Sequence, residues 1–288
     1  MAVPHAQREL HHLEKIVAMG ALVAVLFLAV GFAQAGDKLN LKSAAAFVQD
    51  TGSGTAIVDK NGEAPMPIAS ITKLMTAMVV LDAKLNLEQR VAISTDDIDT
   101  VKGSRSKLRT GSVLTRDELL LIALMASENR AASALGRTYP GGTRAFIDAM
   151  NAKARALGMG NSHFVDATGL SPENVASAQD LARMVGAAHG YPLIREYSTR
   201  ESATVEAFGR TLAYRNTNGL VRSPNWDISV SKTGFISEAG RCLVMQVRVG
   251  ARDLIVVLLD SWGKYSRIGD ANRIRKWLET SAANGLRS

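Results

Sequence analysis

The stretch LVMQVRVGARDLIVVLL, residues 243–259, decides the fold of this 288-residue chain. Residues 243–249 and 254–259 are alternating or wholly apolar, and the polar turn between them predicts an antiparallel hairpin of buried strands. A strand-like run around Val230-Ser231 precedes the hairpin, and residues 268–278 have the spacing of a closing helix. The C-terminal part of the chain therefore supplies both a sheet and a helix that packs on it.

The rest of the chain begins with strands and then changes to helices. Residues 44–49 and 55–59 flank a Gly-rich turn, which predicts a second hairpin. Apolar spacing predicts a helix over residues 70–85, Thr115 with Glu118 forms a capping box before another, and two more follow over residues 143–157 and 177–189. This order predicts an α/β domain of the α+β type. Its antiparallel sheet is drawn from residues 44–62 and 203–260, with a helical lobe inserted over about residues 84–200.

The first 35 residues are typical of an export signal. Arg8 and Lys15 form a charged start, residues 16–32 are apolar, and Ala33-Gln34-Ala35 is a small-residue cleavage site. The apolar run is short for a membrane span, which needs about 20 residues, so we expect cleavage rather than an uncleaved anchor. The prediction is a signal peptide over residues 1–35 and a periplasmic domain over residues 36–288, with no stable membrane anchor.

Charge and cysteine content narrow the function only slightly. The net charge of +7 suits any anionic polymer, but export and the lack of basic clusters interleaved with aromatics argue against nucleic acid. A merely solvated basic surface fits the charge equally well. The single cysteine, Cys242, lies in an apolar strand, so we interpret it as a core residue rather than a catalytic one.

Two common kinds of hydrolytic site lack their residues here. A Ser-His-Asp triad needs a histidine base, and after residue 35 the chain holds only His163 and His189, without a G-x-S-x-G elbow. There is no H-E-x-x-H and no Cys/His cluster for a metal, and no phosphate-binding loop. We therefore expect chemistry without a metal or a cofactor.

Lysine can replace histidine as the base that activates a serine. On a helix, S-x-x-K places the hydroxyl and the amine one turn apart on one face. The chain has four copies, namely Ser70/Lys73, Ser104/Lys107, Ser229/Lys232 and Ser261/Lys264. Only Ser70 opens an apolar helix, whose N-terminal N–H groups favour a developing oxyanion. The plain alternative is a surface serine and lysine at a helix start.

Two further motifs complete a candidate site. Ser127-Glu128-Asn129 interrupts two helical stretches, where a hydroxyl and an amide can face a cleft. Lys232-Thr233-Gly234 follows a strand; its ammonium and hydroxyl suit a carboxylate, and its glycine lets a substrate backbone approach. The near-copies Ser223-Pro224-Asn225 and Arg109-Thr110-Gly111 fall in loops.

S-x-x-K, S-x-N and K-T-G in this order resemble the motifs of penicillin-binding proteins and serine β-lactamases. With the flanking residues 67–76, 127–132, 169–171 and 232–243, the chain resembles low-molecular-mass D-alanyl-D-alanine peptidases over about residues 44–279. It is most similar to the D-alanyl-D-alanine endopeptidase branch, of the penicillin-binding protein 7 type. The resemblance implies a β-lactamase/transpeptidase-like fold, with a five-stranded antiparallel sheet flanked by helices.

The resemblance also implies the catalytic roles. Ser70 attacks the D-alanyl carbonyl, Lys73 accepts its proton, and Ser127 relays protons. The Ser70 backbone N–H forms part of the oxyanion hole. We expect Lys232 to lower the pKa of Lys73 by like-charge repulsion.

The binding roles follow in the same way. The resemblance implies that Asn129 holds the substrate and that Lys232, Thr233 and Gly234 bind the carboxylate of the leaving residue. The Phe235 N–H completes the oxyanion hole. The family often has a threonine next, where this chain has Ile236, so the source of that hydroxyl stays open.

The implied function is a periplasmic serine endopeptidase that hydrolyses D-alanyl–diaminopimelate cross-links through an acyl-enzyme on Ser70. Its partners are peptidoglycan peptide stems, and β-lactams are its inhibitors. Asn174-Val175 stands where carboxypeptidase relatives have a histidine, which favours the endopeptidase over a carboxypeptidase that trims pentapeptide stems. A β-lactamase with Glu173 as its base and a non-catalytic penicilloyl-binding sensor are further alternatives.

Overall fold

The computed structural model describes residues 39–285, in which strands, helices, strands and a final helix follow one another as predicted. The strands are β1 Ser43–Asp50, β2 Ala56–Lys60, β3 Met66–Pro67, β4 Arg90–Ala92, β5 Val113–Thr115, β6 Val175–Ala176, β7 Ser202–Ala207, β8 Arg210–Arg215, β9 Asp227–Ile236, β10 Gly240–Val249 and β11 Arg252–Ser261. The helices are α1 Thr72–Asp82, α2 Arg116–Met125, α3 Asn129–Arg137, α4 Gly142–Ala156, α5 Ala178–His189, α6 Pro192–Thr199 and α7 Ser266–Gly285. The predicted signal peptide over residues 1–35 lies outside the described residues. Between residues 39 and 285, no helix is long and apolar enough to cross a bilayer.

A five-stranded antiparallel sheet joins the two ends of the chain. Its strand order is β2-β1-β11-β10-β9, so β1 pairs with β11 and β9 forms one edge. In the β1–β11 register, Ser43 faces Ser261 and Asp50 faces Leu254. This confirms the predicted antiparallel sheet and places the K-T-G motif on an edge strand, whose free backbone groups can pair with another peptide.

The sheet is shorter than the sequence predicted, because residues 203–226 are not part of it. Instead β7 and β8 pair with each other as a separate hairpin, and the large sheet resumes at Asp227. Burial explains the difference. Exposed side chains recur along β7 and β8, whereas β10 and β11 each bury six consecutive residues, as strands covered on both faces do.

Helices cover both faces of the five-stranded sheet. Alternate side chains of a strand point to opposite faces. In β1, Ala45 and Phe47 belong to the core shared with α5, while Ala46 and Val48 belong to a second core shared with α7. The apolar runs that decided the fold are therefore buried between two layers of helices.

A buried carboxylate ties the beginning of the sheet to the last helix. Asp270, in α7, accepts the N–H groups of Lys42 and Ser43 at 2.9 and 2.7 Å and the Ser43 hydroxyl at 2.6 Å. The side chain of Asp270 is fully buried. The position of β1 thus depends on a residue more than 220 positions later in the chain.

Capping interactions start two of the helices as predicted. Thr115 and Glu118 exchange hydrogen bonds in a capping box at the start of α2. Ser177 accepts the N–H of Asp180 at the start of α5, which ends at His189. These local signals are confirmed because the partners are close in sequence.

Candidate active site

Ser70 lies in a tight turn immediately before α1. Residues Ala69–Ile71 form a 3-10 turn in which Ala69 has a left-handed φ of 49°, and α1 begins at Thr72 rather than at Ser70 as predicted. A neighbouring loop explains the difference, since a Cβ at Gly169 would lie 1.9 Å from the Ala69 carbonyl oxygen. This tertiary contact selects a backbone conformation that apolar spacing does not reveal.

Lys73 projects from the first turn of α1 onto three oxygen atoms. Its Nζ lies 2.8 Å from Ser70 Oγ, 2.7 Å from Asn129 Oδ1 and 2.7 Å from the Thr168 carbonyl oxygen. The side chain is buried, and this burial lowers the pKa of Lys73 to about 7, against the opposing effect of nearby carboxylates, chiefly Asp166. A substantial fraction of Lys73 is therefore neutral near pH 7.

The three contacts of Lys73 suit the neutral amine. Carbonyl oxygens only accept hydrogen bonds, so Asn129 Oδ1 and the Thr168 carbonyl take the two N–H groups of the amine. The Asn129 amide is held in this orientation because its Nδ2 donates to Ser104 Oγ at 2.8 Å. When the amine is neutral, its lone pair can turn to the Ser70 hydroxyl, 2.8 Å away, and accept its proton.

Ser127 and Asn129 come from the break between α2 and α3. Glu128 caps the start of α3, and Ser127 has a φ of 60°, a strained conformation for a residue with a side chain. Ser127 Oγ accepts a hydrogen bond from Lys232 Nζ at 2.9 Å. The break therefore directs Asn129 to Lys73 and Ser127 to Lys232, which joins the predicted residues into one site.

Lys232 is buried beside the other lysine of the site. Its Nζ also donates to the Thr233 carbonyl at 2.9 Å. Burial lowers the pKa of Lys232 well below its usual range, and the charges of Lys73 and Arg267 lower it further. The sequence predicted that repulsion by Lys232 would lower the pKa of Lys73. Burial, rather than repulsion, is the main cause at both lysines.

Gly234 allows β9 to pack directly on the turn that carries Ser70. A Cβ at this position would lie 2.8 Å from the Ile68 carbonyl oxygen and 3.2 Å from the Ser70 nitrogen. The sequence predicted that this glycine makes room for a substrate backbone. The contacts show that the protein's own turn requires this space, and the approach of a substrate backbone to the strand stays a prediction.

The residues on either side of Gly234 face different neighbours. Thr233 Oγ1 lies 2.6 Å from Thr217 Oγ1, so the two hydroxyls share a hydrogen bond. Phe235 is 56% exposed, with the Arg241 guanidinium 4.5 Å from its ring centroid. Thr217 was not predicted, and no sequence motif marks it.

The Thr168 carbonyl, also not predicted, reaches Lys73 because a carboxylate shapes its loop. Asp166 accepts the Gly169 N–H at 2.6 Å, the Thr168 hydroxyl at 2.7 Å and the Ser171 N–H at 2.9 Å. The flanking motif Gly169-Leu170-Ser171 pointed to this loop. A backbone carbonyl itself leaves no trace in residue type, so the sequence could not identify the atom.

Arg267 is a further cation of the site that was not predicted. From the first turn of α7, its Nη1 donates to the carbonyls of Gly234 at 3.0 Å and Cys242 at 3.2 Å. Burial lowers its pKa, as does the nearby charge of Arg241. No ion pair within residues 39–285 involves Lys232, Arg241 or Arg267. Such a group of cations is suited to an anionic ligand.

An ion pair crosses from the loop that carries Ser104 to the turn after β9. Asp99 accepts the N–H groups of Lys102 and Ser104 and so orders that loop. Lys102 pairs with Glu238, whose carboxylate also accepts the Ser237 hydroxyl at 2.7 Å. Hydrogen bonds from Lys102 and Ser237 lower the pKa of Glu238 to about 2, so the Lys102–Glu238 bridge stays charged at neutral pH.

Residues that were set aside for catalysis occupy other roles. His163 pairs through its backbone with Val175. Cys242 is buried in β10, and burial raises its thiol pKa to about 11, which confirms the interpretation as a core residue. Ile236 is buried, and Glu173, the base of the β-lactamase alternative, is exposed.

Comparison with known proteins identifies the family of this site. Residues 32–263 match the family described as D-alanyl-D-alanine carboxypeptidase, peptidase family S11. The chain belongs to peptidase family S11. The resemblance inferred from the three motifs is thereby confirmed.

Two curated relatives of this S11 peptidase are endopeptidases. The chain is 47% identical to the D-alanyl-D-alanine endopeptidase of Pseudomonas aeruginosa over 249 residues, which cover 85% of this chain and 80% of that one. It is 46% identical to the D-alanyl-D-alanine endopeptidase of Escherichia coli K12 over 242 residues, covering 83% and 78%. These similarities agree with the endopeptidase branch predicted from the flanking residues.

Solved structures of related enzymes confirm the fold of this S11 peptidase. The Streptomyces K15 DD-transpeptidase superposes with a TM-score of 0.78 at 29% identity, covering 83% of this chain and 98% of that one. Penicillin-binding protein D2 of Listeria monocytogenes, in a cefotaxime-bound form, gives 0.74 at 27% identity with the same coverage. The predicted β-lactamase/transpeptidase-like fold is therefore correct.

Proposed function

We propose that this S11 peptidase is a D-alanyl-D-alanine endopeptidase that hydrolyses D-alanyl–diaminopimelate cross-links in peptidoglycan, with Ser70 as its nucleophile. The contact set of Lys73 carries the proposal. In the neutral amine, two carbonyl oxygens accept its N–H groups, which leaves its lone pair for Ser70 Oγ, 2.8 Å away. A lysine with a pKa of about 7 in this position is a general base for the serine.

Acylation follows from these contacts. Neutral Lys73 takes the Ser70 proton as the bond from Oγ to the D-alanyl carbonyl carbon forms, and the N–H groups of Ser70 and Phe235 stabilise the oxyanion. The carbon–nitrogen bond then breaks. Ser127 gives its proton to the leaving amine and recovers one from Lys232, to which it is hydrogen-bonded.

Hydrolysis of the acyl-enzyme restores the starting charges. Water adds to the ester carbonyl, and its proton passes through Ser127 to Lys232, which had become neutral. The bond to Ser70 Oγ breaks as the Lys73 ammonium returns its proton to that oxygen. The products are a stem with a free D-alanyl carboxyl group and a free amine.

The leaving residue is recognised by its carboxylate. In a cross-link the amide nitrogen sits on a D-centre that also bears a carboxylate, as the last residue of D-alanyl-D-alanine does. Lys232, Thr233 and Arg267 surround the place for this group, and a basic chain suits such a substrate. A carboxypeptidase would use the same contacts, so the endopeptidase relatives support the choice between the two.

Other functions of this fold receive less support. The exposed Glu173 does not offer a β-lactamase the buried base that it needs next to the ester. A penicilloyl-binding sensor would lack part of the proton relay, whereas Lys73 contacts Ser70 and Lys232 contacts Ser127 here. Acylation by β-lactams is expected for either enzyme, as they mimic the acyl donor.

The test is digestion of cross-linked, diaminopimelate-containing muropeptide dimers, read by mass spectrometry. We expect dimers to fall to monomers and penicillin or Ser70→Ala to stop the reaction. Ser223→Ala, in the loop copy of S-x-N, serves as the matched control and should keep full activity. Dimers that survive while pentapeptides lose one D-alanine would make the protein a carboxypeptidase. Acylation by penicillin without turnover of either peptide would make it a sensor.

We further infer that the enzyme is periplasmic and is released from its signal peptide after Ala35. The charged start, apolar run and small-residue site of residues 1–35 support this location. N-terminal sequencing of protein recovered from the periplasm should begin at Gly36. Recovery of the intact N-terminus in the membrane fraction would indicate an anchor instead.

A further inference from the structure

The proposed site sets the direction of a cross-link bound along β9, and this inference rests on that proposal. The carboxylate of the leaving residue lies at Lys232 and Thr233, and the scissile carbonyl lies at the Phe235 N–H. The acyl stem therefore continues toward the C-terminal end of β9. In peptidoglycan that stem is attached to a glycan strand, so the sugar must lie beyond this end of the sheet.

The turn that joins β11 to α7 lies at this same end. Phe235 faces Arg241 in register on β10, and Arg241 faces Ser261, the last residue of β11. Neighbouring strands are about 4.8 Å apart, so Ser261 lies roughly 10 Å across the sheet from Phe235. Residues 262–265 follow directly.

This turn exposes two large aromatic side chains. Trp262 is 84% exposed and Tyr265 is 69% exposed, and the Lys264 ammonium lies 5.3 Å from the Tyr265 ring centroid. The turn is held against the catalytic strand, because Arg267, two residues after Tyr265, donates to the Gly234 carbonyl. Side chains this exposed lie outside the core, so their ring faces are accessible to a ligand.

We propose that Trp262 and Tyr265 form a platform that binds the glycan strand carrying the acyl stem. A pyranose ring has a face of C–H groups that packs on a flat aromatic ring, while its hydroxyls stay in water. Lys264 lies against the Tyr265 ring and Arg241 lies against the Phe235 ring, so positive charge stands at both ends of the path from the sugar to the scissile bond and suits the carboxylates of the stem.

The length of the stem agrees with this placement. An extended peptide covers at most about 3.5 Å per residue, so a stem of about four residues reaches roughly 14 Å. The turn lies roughly 10 Å across the sheet from Phe235. A stem that passes the end of β9 and then bends across the strand ends can therefore bring its sugar to the platform.

The composition of the turn favours a sugar over a membrane or an apolar partner. Gly263 and Lys264 separate the two rings, so the aromatic surface is broken by a charge and an exposed backbone. Membrane and protein interfaces need a larger contiguous apolar patch. Isolated flat rings with polar neighbours suit ligands that have one apolar face and many hydroxyls.

The experiment compares two substrates and the Trp262→Ala/Tyr265→Ala double variant of the mature protein. On intact cross-linked sacculi we expect the KM to rise about tenfold, because each ring contributes an aromatic contact, with kcat unchanged. On soluble cross-linked stem-peptide dimers from which the sugars have been removed, both constants should match the parent. Phe208→Ala removes a 60% exposed aromatic from the β7–β8 turn and should alter neither substrate.

A binding assay separates the outcomes. In a Ser70→Ala background, the protein should co-sediment with glycan strands stripped of stem peptides, and the double variant should not. Equal KM values on sacculi for parent and variant would overturn the proposal, as would an equal loss on the sugar-free stem dimers. Binding to vesicles of phosphatidylethanolamine and phosphatidylglycerol, without binding to glycan, would assign the platform to a membrane. If the parent enzyme does not cleave muropeptide dimers, the endopeptidase proposal is rejected. The glycan co-sedimentation assay still tests the platform in that case.

Discussion

The floor and the rim of the active site are built in different ways. The floor consists of Ser70, Lys73, Ser127, Asn129 and Lys232. The rim consists of Lys102, Glu238, Trp262 and Tyr265. Both lysines of the floor are buried and hydrogen-bonded to fixed partners, whereas the rim is largely exposed and crosses the cleft through one ion pair. Burial shifts the pKa of a lysine and so changes which group holds a proton. The attraction between two exposed charges, such as Lys102 and Glu238, is instead screened by water and salt. The floor should therefore control the chemistry and the rim only access.

Removal of the base should have the largest effect. We expect Lys73→Ala to lower the rate of acylation by penicillin at least about a thousandfold, because Ser70 then has no acceptor for its proton. Stopped-flow measurement of acylation provides the rate. Lys153→Ala removes a lysine that pairs with Asp82 away from Ser70 and should leave the rate unchanged. A variant that keeps a tenth of the parent rate would show that another group is the base.

A change in the packing of β9 on the Ser70 turn should reduce activity less than removal of Lys73 does. Gly234→Ala places a Cβ 2.8 Å from the Ile68 carbonyl oxygen, which displaces either β9 or the Ser70 turn. We expect acylation to slow about a hundredfold, since small displacements of reacting atoms have effects of this size. Gly160→Ala is the control, because a Cβ there meets nothing within 4 Å. Equal rates for the two variants would mean that the packing contact is not needed for catalysis.

The pH profile tests whether burial sets the protonation of the floor. Lys73 has a pKa of about 7 and must be neutral to act as base. The kcat/KM for a soluble substrate should therefore rise about tenfold per pH unit below that value and fall again at higher pH, where Lys232 loses the proton that Ser127 recovers during acylation. A profile that is flat from about pH 5 to about pH 9 would contradict the assignment of Lys73 as the base.

Loss of the ion pair between Lys102 and Glu238 should have the smallest effect on activity. We expect Glu238→Gln to change activity on muropeptide dimers by no more than about threefold, because the bridge is exposed. The sensitive measurement is its dependence on salt. The difference in activity between parent and variant should shrink as the salt concentration rises, because salt screens the bridge that only the parent has. A loss as large as that of Gly234→Ala would place Glu238 in the floor.

The fold and the catalytic motifs could be predicted because their signals are local. Buried runs, capping boxes and motif spacing identified the sheet, the start of α2 and the cluster of Ser70, Lys73, Ser127 and Lys232. The 3-10 turn at Ala69 and the role of Gly234 could not, because both depend on contacts between segments far apart in the chain. Conformations of this kind are selected by tertiary packing rather than by residue preference.

Contacts made by backbone atoms and by single cations were also hidden. The Thr168 carbonyl has no sequence signature, and Arg267 is one of many basic residues until α7 brings it to Gly234. The end of the sheet was misplaced because residues 203–226 show the same strand character as a peripheral hairpin. The sequence therefore indicated which side chains form the candidate site, while the structure showed what holds them in place.

The pairing of β1 with β11 has a consequence for synthesis of the protein. β1 lies between β2 and β11, so its second partner is made only when residues 252–261 have been translated. Asp270, which anchors the start of β1, comes later still. Contacts this distant in sequence form slowly, and an incomplete chain lacks them. The strand that carries Lys232 cannot take its place beside Ser127 until almost the whole chain has been made. A nascent chain therefore contains Ser70 but not a complete active site.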